Sequence, residues 1–166
     1  MSRAFVKEET SSSPLDDVAE RQVSPHPNYM TEEGFNQLKR KVENLSNARL
    51  DTISAEDDHA IHEKALLERD LRYYQARLQS AIVVGDEGRQ KDVVRFGAWV
   101  TLEDDSGKRF QFRLVGEDEA DATQGMISWV SPLASQLLGK QAGNRIIWLR
   151  ENKATPVEIM QITYAI

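Results

Sequence analysis

The chain has 166 residues, of which 40% are hydrophobic and 29% are charged, and its formal net charge is −6 at pH 7. This acidic excess makes free nucleic acid an unfavourable main partner, because the phosphate backbone repels a negative surface. The absence of cysteine excludes disulfide bonds, thiolate zinc sites and cysteine nucleophiles. No apolar run approaches the roughly 18 residues of a membrane span, and residues 1–9 lack the hydrophobic region of a signal peptide. We therefore expect a soluble, cytoplasmic protein without membrane contacts.

Residues 1–29 are polar and include the serine- and proline-rich strings Ser11–Pro14 and Ser24–Pro27. A segment with so few apolar residues cannot form a core of its own. We predict a flexible N-terminal arm over residues 1–29. The alternative is a segment that docks on a partner or packs on the next domain.

A helical pattern begins at Thr31. This residue is a suitable helix cap, and the acidic residues after it lie in the first turn, where the helix dipole favours negative charge. Apolar residues then recur at spacings of three and four in two runs, which are Phe35, Leu38, Val42 and Leu45, then Leu67, Leu71, Tyr74, Leu78 and Ile82. With a polar turn near residues 53–58, these runs predict an antiparallel helical hairpin, a short coiled coil, over residues 30–84.

The pattern changes at Gly85–Gly88. Residues 85–92 are interpreted as a linker, and beyond them the apolar period becomes two, as in strands. Strands are predicted over 96–103 and 109–115, with a hairpin turn between them, and then over 127–130, 145–150 and 157–164. The predicted fold is therefore α+β, with the helical hairpin followed by a small antiparallel sheet and one short helix over residues 93–166.

The strand predicted over Ile127–Val130 leads directly into that short helix. Ser131 is suited to cap it, and Pro132 occupies its first turn, where a missing amide hydrogen costs nothing. Three leucines give the helix an apolar face, and Gly139 ends it. Trp129 stands beside Pro132 and is the best candidate for an exposed interface anchor.

Four strings, Phe96–Val100, Val115–Asp121, Met126–Lys140 and Glu158–Tyr164, stand in the order typical of one family. They resemble the C-terminal domain of the Gre-type factors, bacterial transcription elongation factors that bind RNA polymerase. The string Tyr29–Leu38 fits the opening helix of the same family, but the coiled coil of this chain is shortened or divergent compared with the family's arms. The resemblance implies an FKBP-like fold for the C-terminal domain.

In the family, this domain docks on the rim of the secondary channel of the polymerase. The resemblance assigns that contact to Val130, Ser131 and Pro132, with Trp129 beside them. The family often has Asp or Asn at the position of Val130, so the contact here is expected to be weakened or retuned.

The family's hairpin tip carries carboxylates that help to hold the second catalytic magnesium of the polymerase. Its usual motif is absent here, and Glu56, Asp57 and Asp58 stand in its place. Magnesium prefers hard oxygen ligands, so these carboxylates are candidates for the same role. One alternative is that they only cap the second helix and complement its dipole. Another is that they contact the basic wall of the channel. We expect no cofactor or metal of the chain's own, other than magnesium shared with the polymerase.

The resemblance implies a regulator of elongation, backtracking or transcript cleavage that is not itself an enzyme, because any hydrolysis would use the polymerase active site. One alternative is a non-catalytic regulator that occupies the channel and competes with other channel factors. A prolyl isomerase is suggested only by the FKBP-like fold, and a fold does not carry a function.

Overall fold

The structure, a computed structural model, describes residues 18–51, 57–88 and 90–164. Most of the predicted arm and the tip residue Glu56 lie outside the described residues. The chain forms two units, one built from the segment up to Ser24 and Lys39–Gln79, the other from Pro25–Leu38 and the segment from Ser80 onwards. Residues 30–38 and 80–84 of the predicted hairpin region therefore group with the second unit, although residues 32–38 are helical.

Helix α1 (Glu32–Asp51) and helix α2 (Asp58–Gln79) confirm the predicted helical hairpin. Arg49 lies 3.5 Å from Glu68, and the Nζ atom of Lys41 lies 4.2 Å from the centre of the Tyr74 ring. The later residue of α1 contacts the earlier residue of α2, and the earlier contacts the later, so the two helices run antiparallel. At about 1.5 Å per residue, the helices are roughly 30 and 33 Å long.

Residues before Ser24 lie against α2 within the first unit. The guanidinium of Arg21 lies 3.9 Å from the centre of the Tyr73 ring and 3.4 Å from Asp70. Arg72 forms an ion pair with Glu20. This part of the predicted arm therefore packs on the hairpin.

The second helix ends earlier than the apolar pattern predicts. Ile82, expected on its apolar seam, instead lies in strand β2 (Ile82–Val83), which pairs in parallel with strand β1 (Tyr29–Met30). The N–H of Ile82 donates to the carbonyl of Asn28 at 2.8 Å, and Val84 donates to Met30 at 2.9 Å. The prediction was wrong here because an extended partner strand, distant in sequence, satisfies these backbone groups.

The second unit contains a five-stranded sheet in the order β5-β4-β3-β7-β6. Its strands are β3 (Trp99–Asp104), β4 (Arg109–Val115), β5 (Met126–Ser128), β6 (Arg145–Arg150) and β7 (Lys153–Thr163). The predicted all-antiparallel pairing is wrong at one edge, because β5 runs parallel to β4 with Leu114 beside Ile127. Two 3₁₀ turns between these strands, Glu117–Glu119 and Ala122–Gln124, bring the chain back in the same direction.

Helix α3 (Pro132–Leu137) packs on one face of this sheet, as predicted. The core beneath it combines alternate strand residues with two residues of the helix, all buried: Val100, Leu102, Leu114, Ala134, Leu137, Val157 and Ile159. In the part of the chain that the structure describes, neither long helix combines the length and apolar character that a membrane crossing needs.

Candidate functional site

The docking loop, residues Trp129–Pro132, has a conformation fixed by backbone hydrogen bonds, one of them to strand β4, and by the cap of α3. The Trp129 N–H donates to the Val115 carbonyl at 2.9 Å, and the Ser131 N–H donates to the Ser128 carbonyl at 2.9 Å. The Ser131 hydroxyl accepts from the N–H of Ala134 at 3.3 Å and so caps α3, as predicted. Pro132 is exposed at the first position of that helix. The loop therefore presents a rigid corner.

Trp129 supports the docking loop from behind. Its ring contacts Tyr29 edge to face with centroids 5.1 Å apart, and His26 at 6.0 Å. The indole nitrogen is buried and has no hydrogen-bond partner among the residues that the structure describes. The side chain is half-buried rather than fully exposed, because Tyr29, which precedes α1 in sequence, packs against one side of it in the folded domain. Its role as a polymerase contact stays a prediction.

A carboxylate that the sequence analysis missed ties the start of α1 to the loop after β4. Glu119 accepts hydrogen bonds from the N–H of Thr31 at 3.1 Å, from the Thr31 hydroxyl, and from the N–H of Gly116 at 2.8 Å. The Thr31 hydroxyl in turn accepts from the N–H of Gly34 at 3.0 Å. A Cβ atom on Gly34 would lie 2.0 Å from the Glu119 carboxylate, so this approach requires glycine.

Arg113 makes a second contact with the same helix end. Its guanidinium lies 3.5 Å from Glu33, and its Nε atom donates to the Gly97 carbonyl at 3.3 Å. The Glu33 carboxylate accepts a hydrogen bond from the backbone N–H of Glu33 and lies near the positive charge of Arg113. Both effects lower the pKa of Glu33 below its usual value, although burial opposes them. Two carboxylates therefore hold the first turn of α1 against the sheet domain: Glu33, which pairs with Arg113, and Glu119, which accepts hydrogen bonds from Thr31.

The hairpin tip, residues 52–58, is described only at its end. Asp57 caps α2, because its Oδ1 atom accepts from the N–H of Ala60 at 2.7 Å and its carbonyl accepts from Ile61 at 3.0 Å. Asp58 lies exposed in the first helical turn. Within the described ranges, no group of three or more acidic, histidine or cysteine side chains is arranged to hold a metal ion. The capping alternative is thus supported for Asp57.

The sequence is similar to a known family model over residues 89–164, described as Transcription elongation factor, GreA/GreB, C-term. It is 33% identical over 147 residues to Transcription elongation factor GreA of Nitratidesulfovibrio vulgaris, covering 80% of this chain and 92% of the relative. It is 31% identical over 153 residues to GreB of Neisseria meningitidis, covering 82% and 94%. A solved GreA/GreB structure from Nitrosomonas europaea is 24% identical, covers 82% of this chain and 98% of that one, and gives a TM-score of 0.43.

The two sequence relatives are matched along nearly their whole length, well beyond the C-terminal domain. Both are named as transcription elongation factors, which are accessory proteins rather than enzymes. The chain therefore belongs to the GreA/GreB family of transcription elongation factors.

Proposed function

We propose that this chain binds bacterial RNA polymerase at the rim of the secondary channel and modulates elongation, backtracking or transcript cleavage. The docking loop provides the contact, through Val130, Ser131, the exposed ring of Pro132 and the accessible part of Trp129. The observation that carries the proposal is the rigid presentation of this loop, fixed by the cap of α3 and by Trp129 behind it. A preorganised surface loses little conformational entropy on binding.

In this proposal the helical hairpin enters the channel and its tip approaches the polymerase active site. Transcript cleavage would take place there, on the magnesium of the polymerase. Glu56, Asp57 and Asp58 are the candidate carboxylates, since hard oxygen ligands suit magnesium. The protein acts in the cytoplasm, where bacterial polymerase works, and meets DNA and RNA only through the elongation complex.

The docking contact is tested by measuring the affinity of purified core polymerase for variants of the loop. Pro132→Ala keeps a residue that suits the first helical position but removes the exposed ring. We expect about a tenfold weaker complex, equivalent to roughly 1.4 kcal/mol. Gln136→Ala, also exposed on α3, is the matched control and should bind normally. Equal affinities for the two variants would refute docking through this loop.

Val130→Asp restores a residue type common in the family and tests the same contact in the opposite direction. The side chain is half-buried in this structure, so stability is measured beside affinity. We expect tighter binding than that of the natural chain, and an unchanged affinity would show that Val130 does not face the polymerase.

The tip chemistry is tested with backtracked elongation complexes, magnesium and the double variant Asp57→Asn, Asp58→Asn. Asparagine caps a helix about as well as aspartate but carries no charge, so the fold and the binding should persist. We expect shortened transcripts with the natural chain and none with the variant. Shortening that survives in the variant would remove Asp57 and Asp58 from the mechanism.

A second candidate function is a non-catalytic regulator that occupies the channel and competes with other channel factors. The observation that favours it is the Asp57 cap, which engages one carboxylate oxygen within the chain. Tight polymerase binding without any transcript shortening by the natural chain would select this candidate. The names of the relatives give no support to a prolyl isomerase.

A further inference from the structure

A groove lies at the end of the sheet opposite the docking loop. The β3–β4 turn and the β6–β7 turn meet at this end, because Asp104 pairs with Val157 and Arg150 pairs with Lys153 across the ladders. The cavity between the two turns, called the distal groove here, has a volume of about 470 Å³. Strand β4 separates it from the docking loop by roughly 20 Å, given about 3.4 Å per residue.

Three cations line the distal groove: Lys108, Arg150 and Lys153. In the described part of the chain, none of them has a carboxylate oxygen within 4.0 Å. Aromatic rings hold two of them instead. The Arg150 guanidinium lies 5.0 Å from the centre of the Phe110 ring and 5.3 Å from that of Trp148, and the Lys108 ammonium lies 5.1 Å from Phe110. Cation–π contacts position the charges without neutralising them.

The turn between β6 and β7 brings two of these cations onto one face. Glu151 and Asn152 both have positive φ angles, of 50° and 62°, as in the tight turns that join twisted antiparallel strands. Arg150 and Lys153 are directly opposite each other across this turn. Cross-strand partners project from the same side of a ladder, so both side chains border the same groove.

Two of the three carboxylates along the groove have partners within the domain. Asp104 accepts from the N–H groups of Ser106 and Lys108, both at 2.9 Å, and from the Ser106 hydroxyl at 2.6 Å. The pKa of Asp104 lies below its usual value, mainly because of the hydrogen bond from the Ser106 hydroxyl. The backbone hydrogen bonds and the charge of Lys108 lower it further. Asp105 pairs with Arg145 at 2.6 Å. Glu151 is the remaining acid, exposed at the turn.

We propose that the distal groove binds a small anionic molecule that carries two or more phosphate groups. Lys108, Arg150 and Lys153 can contact one polyanion together, and the planar guanidinium of Arg150 suits bidentate contact with phosphate oxygens. Asp104 and Asp105 accept bonds from within the domain, and Glu151 opposes the binding of an anion. The volume falls in the range of small-ligand sites. The net charge of −6 disfavours a long nucleic acid, because repulsion by the whole chain grows with the length of the strand.

The test titrates the purified full-length chain with sodium tripolyphosphate, ATP and citrate, each without magnesium, and follows binding by calorimetry and by backbone amide shifts in NMR spectra. We expect tripolyphosphate to bind and to shift amides at residues 105–110 and 149–155. Tighter binding of ATP would identify a nucleotide as the ligand, whereas equal affinity would identify phosphate groups alone. Citrate binding as tightly as tripolyphosphate, or shifts confined to other residues, would overturn the proposal.

Charge variants decide whether the three cations act together. Lys153→Gln and Lys108→Gln change exposed residues, and each should weaken tripolyphosphate about tenfold, as expected for a lost charge-assisted contact of about 1.4 kcal/mol. Glu151→Gln should strengthen it. Arg109→Gln is the matched control, because Arg109 pairs with Glu103 on the other side of the strand. Affinity that is equal in Lys153→Gln, Lys108→Gln and Arg109→Gln, or no binding at about millimolar ligand, would refute the site.

Discussion

The docking loop and the hairpin tip differ in what holds them in place. The loop is fixed by backbone hydrogen bonds to β4, by the cap of α3 and by a half-buried tryptophan. At the tip, the described residues are exposed, and Asp57 bonds only within its own helix. The surface proposed to bind is thus built by tertiary contacts, whereas the surface proposed to act on magnesium is built locally. Binding and chemistry should therefore be separable by mutation.

The largest effect should follow from Leu137→Ala, which attacks the support of the docking loop. Leu137 is completely buried where α3 meets the sheet, and removal of such a side chain costs about 2–5 kcal/mol. Urea denaturation should show this loss, and polymerase binding should weaken as α3 loosens. Gln136→Ala, on the exposed side of the same helix, should stay within about 0.5 kcal/mol of the natural chain. A stable Leu137→Ala protein with a normal docking loop would break the comparison.

The next effect should come from Glu119→Gln, which weakens the link between α1 and the loop after β4. The amide introduces an N–H group that faces the donors of Thr31 and Gly116, so at least one of these part-buried hydrogen bonds is lost. The expected cost is about 1–3 kcal/mol in the free energy of unfolding. Glu43→Gln makes the same chemical change at an exposed site of α1 and should be nearly neutral. Equal stability of the two variants would show that the Glu119 contacts contribute nothing net.

A smaller effect is expected from Arg21→Gln in the helical hairpin. The change removes the contacts with Tyr73 and Tyr74 and the ion pair with Asp70, worth about 1 kcal/mol together at partly exposed positions. Hydrogen exchange of the α2 amides should therefore become faster, while that of the docking loop stays the same. Arg40→Gln, at an exposed site of α1, is the control and should leave both rates unchanged.

The same Arg21→Gln change has a spectroscopic signature. Burial raises the pKa of Tyr74, but hydrogen bonds and charges from Lys41 and Arg21 outweigh it, so the pKa lies below its usual value of 10.0. Loss of Arg21 should raise it, which ultraviolet absorbance in an alkaline titration would detect. An unchanged titration would contradict the contact between Arg21 and the ring.

The smallest effect should be the pH dependence contributed by Glu33. Its pKa in the folded chain lies below the ordinary 4.5, so its contribution to stability is fully present above that pH and is lost as the pH falls through the lowered value. Urea denaturation at several acidic pH values should show a steeper loss for the natural chain than for Glu33→Gln. The difference should shrink in high salt, because the side chain is 64% exposed. Parallel curves would show that the Arg113 contact does not stabilise the fold.

Much of the fold could be predicted because it depends on local patterns. Apolar residues at spacings of three and four located both long helices, and the Ser131–Pro132 pair located the start of α3. The two errors have different causes. Ile82 pairs with a strand distant in sequence, whereas β5 runs parallel to β4 because two 3₁₀ turns bring the chain back in the same direction. In both cases the apolar pattern alone does not say which backbone will satisfy the hydrogen bonds of a strand.

The candidate site was predicted less completely. The capping roles of Ser131 and Asp57 follow from residue type and position, but the buried side of Trp129 and the contacts of Glu119 do not. A signal for the latter was present in Gly34, a glycine in the first turn of a helix, where a residue with higher helix propensity is usual. Only the carboxylate that occupies the missing Cβ position explains it.

The sequence by itself determined the two helices, most of the strands, the caps of the helices and the membership of a family, because these depend on neighbours along the chain or on the order of motifs. Only the tertiary structure decided which side chains support the docking loop, which carboxylate ties α1 to the sheet, and which cations meet in the distal groove. Those arrangements join residues as far apart as Thr31 and Glu119. Their energy comes from desolvated contacts that exist only after the chain has folded.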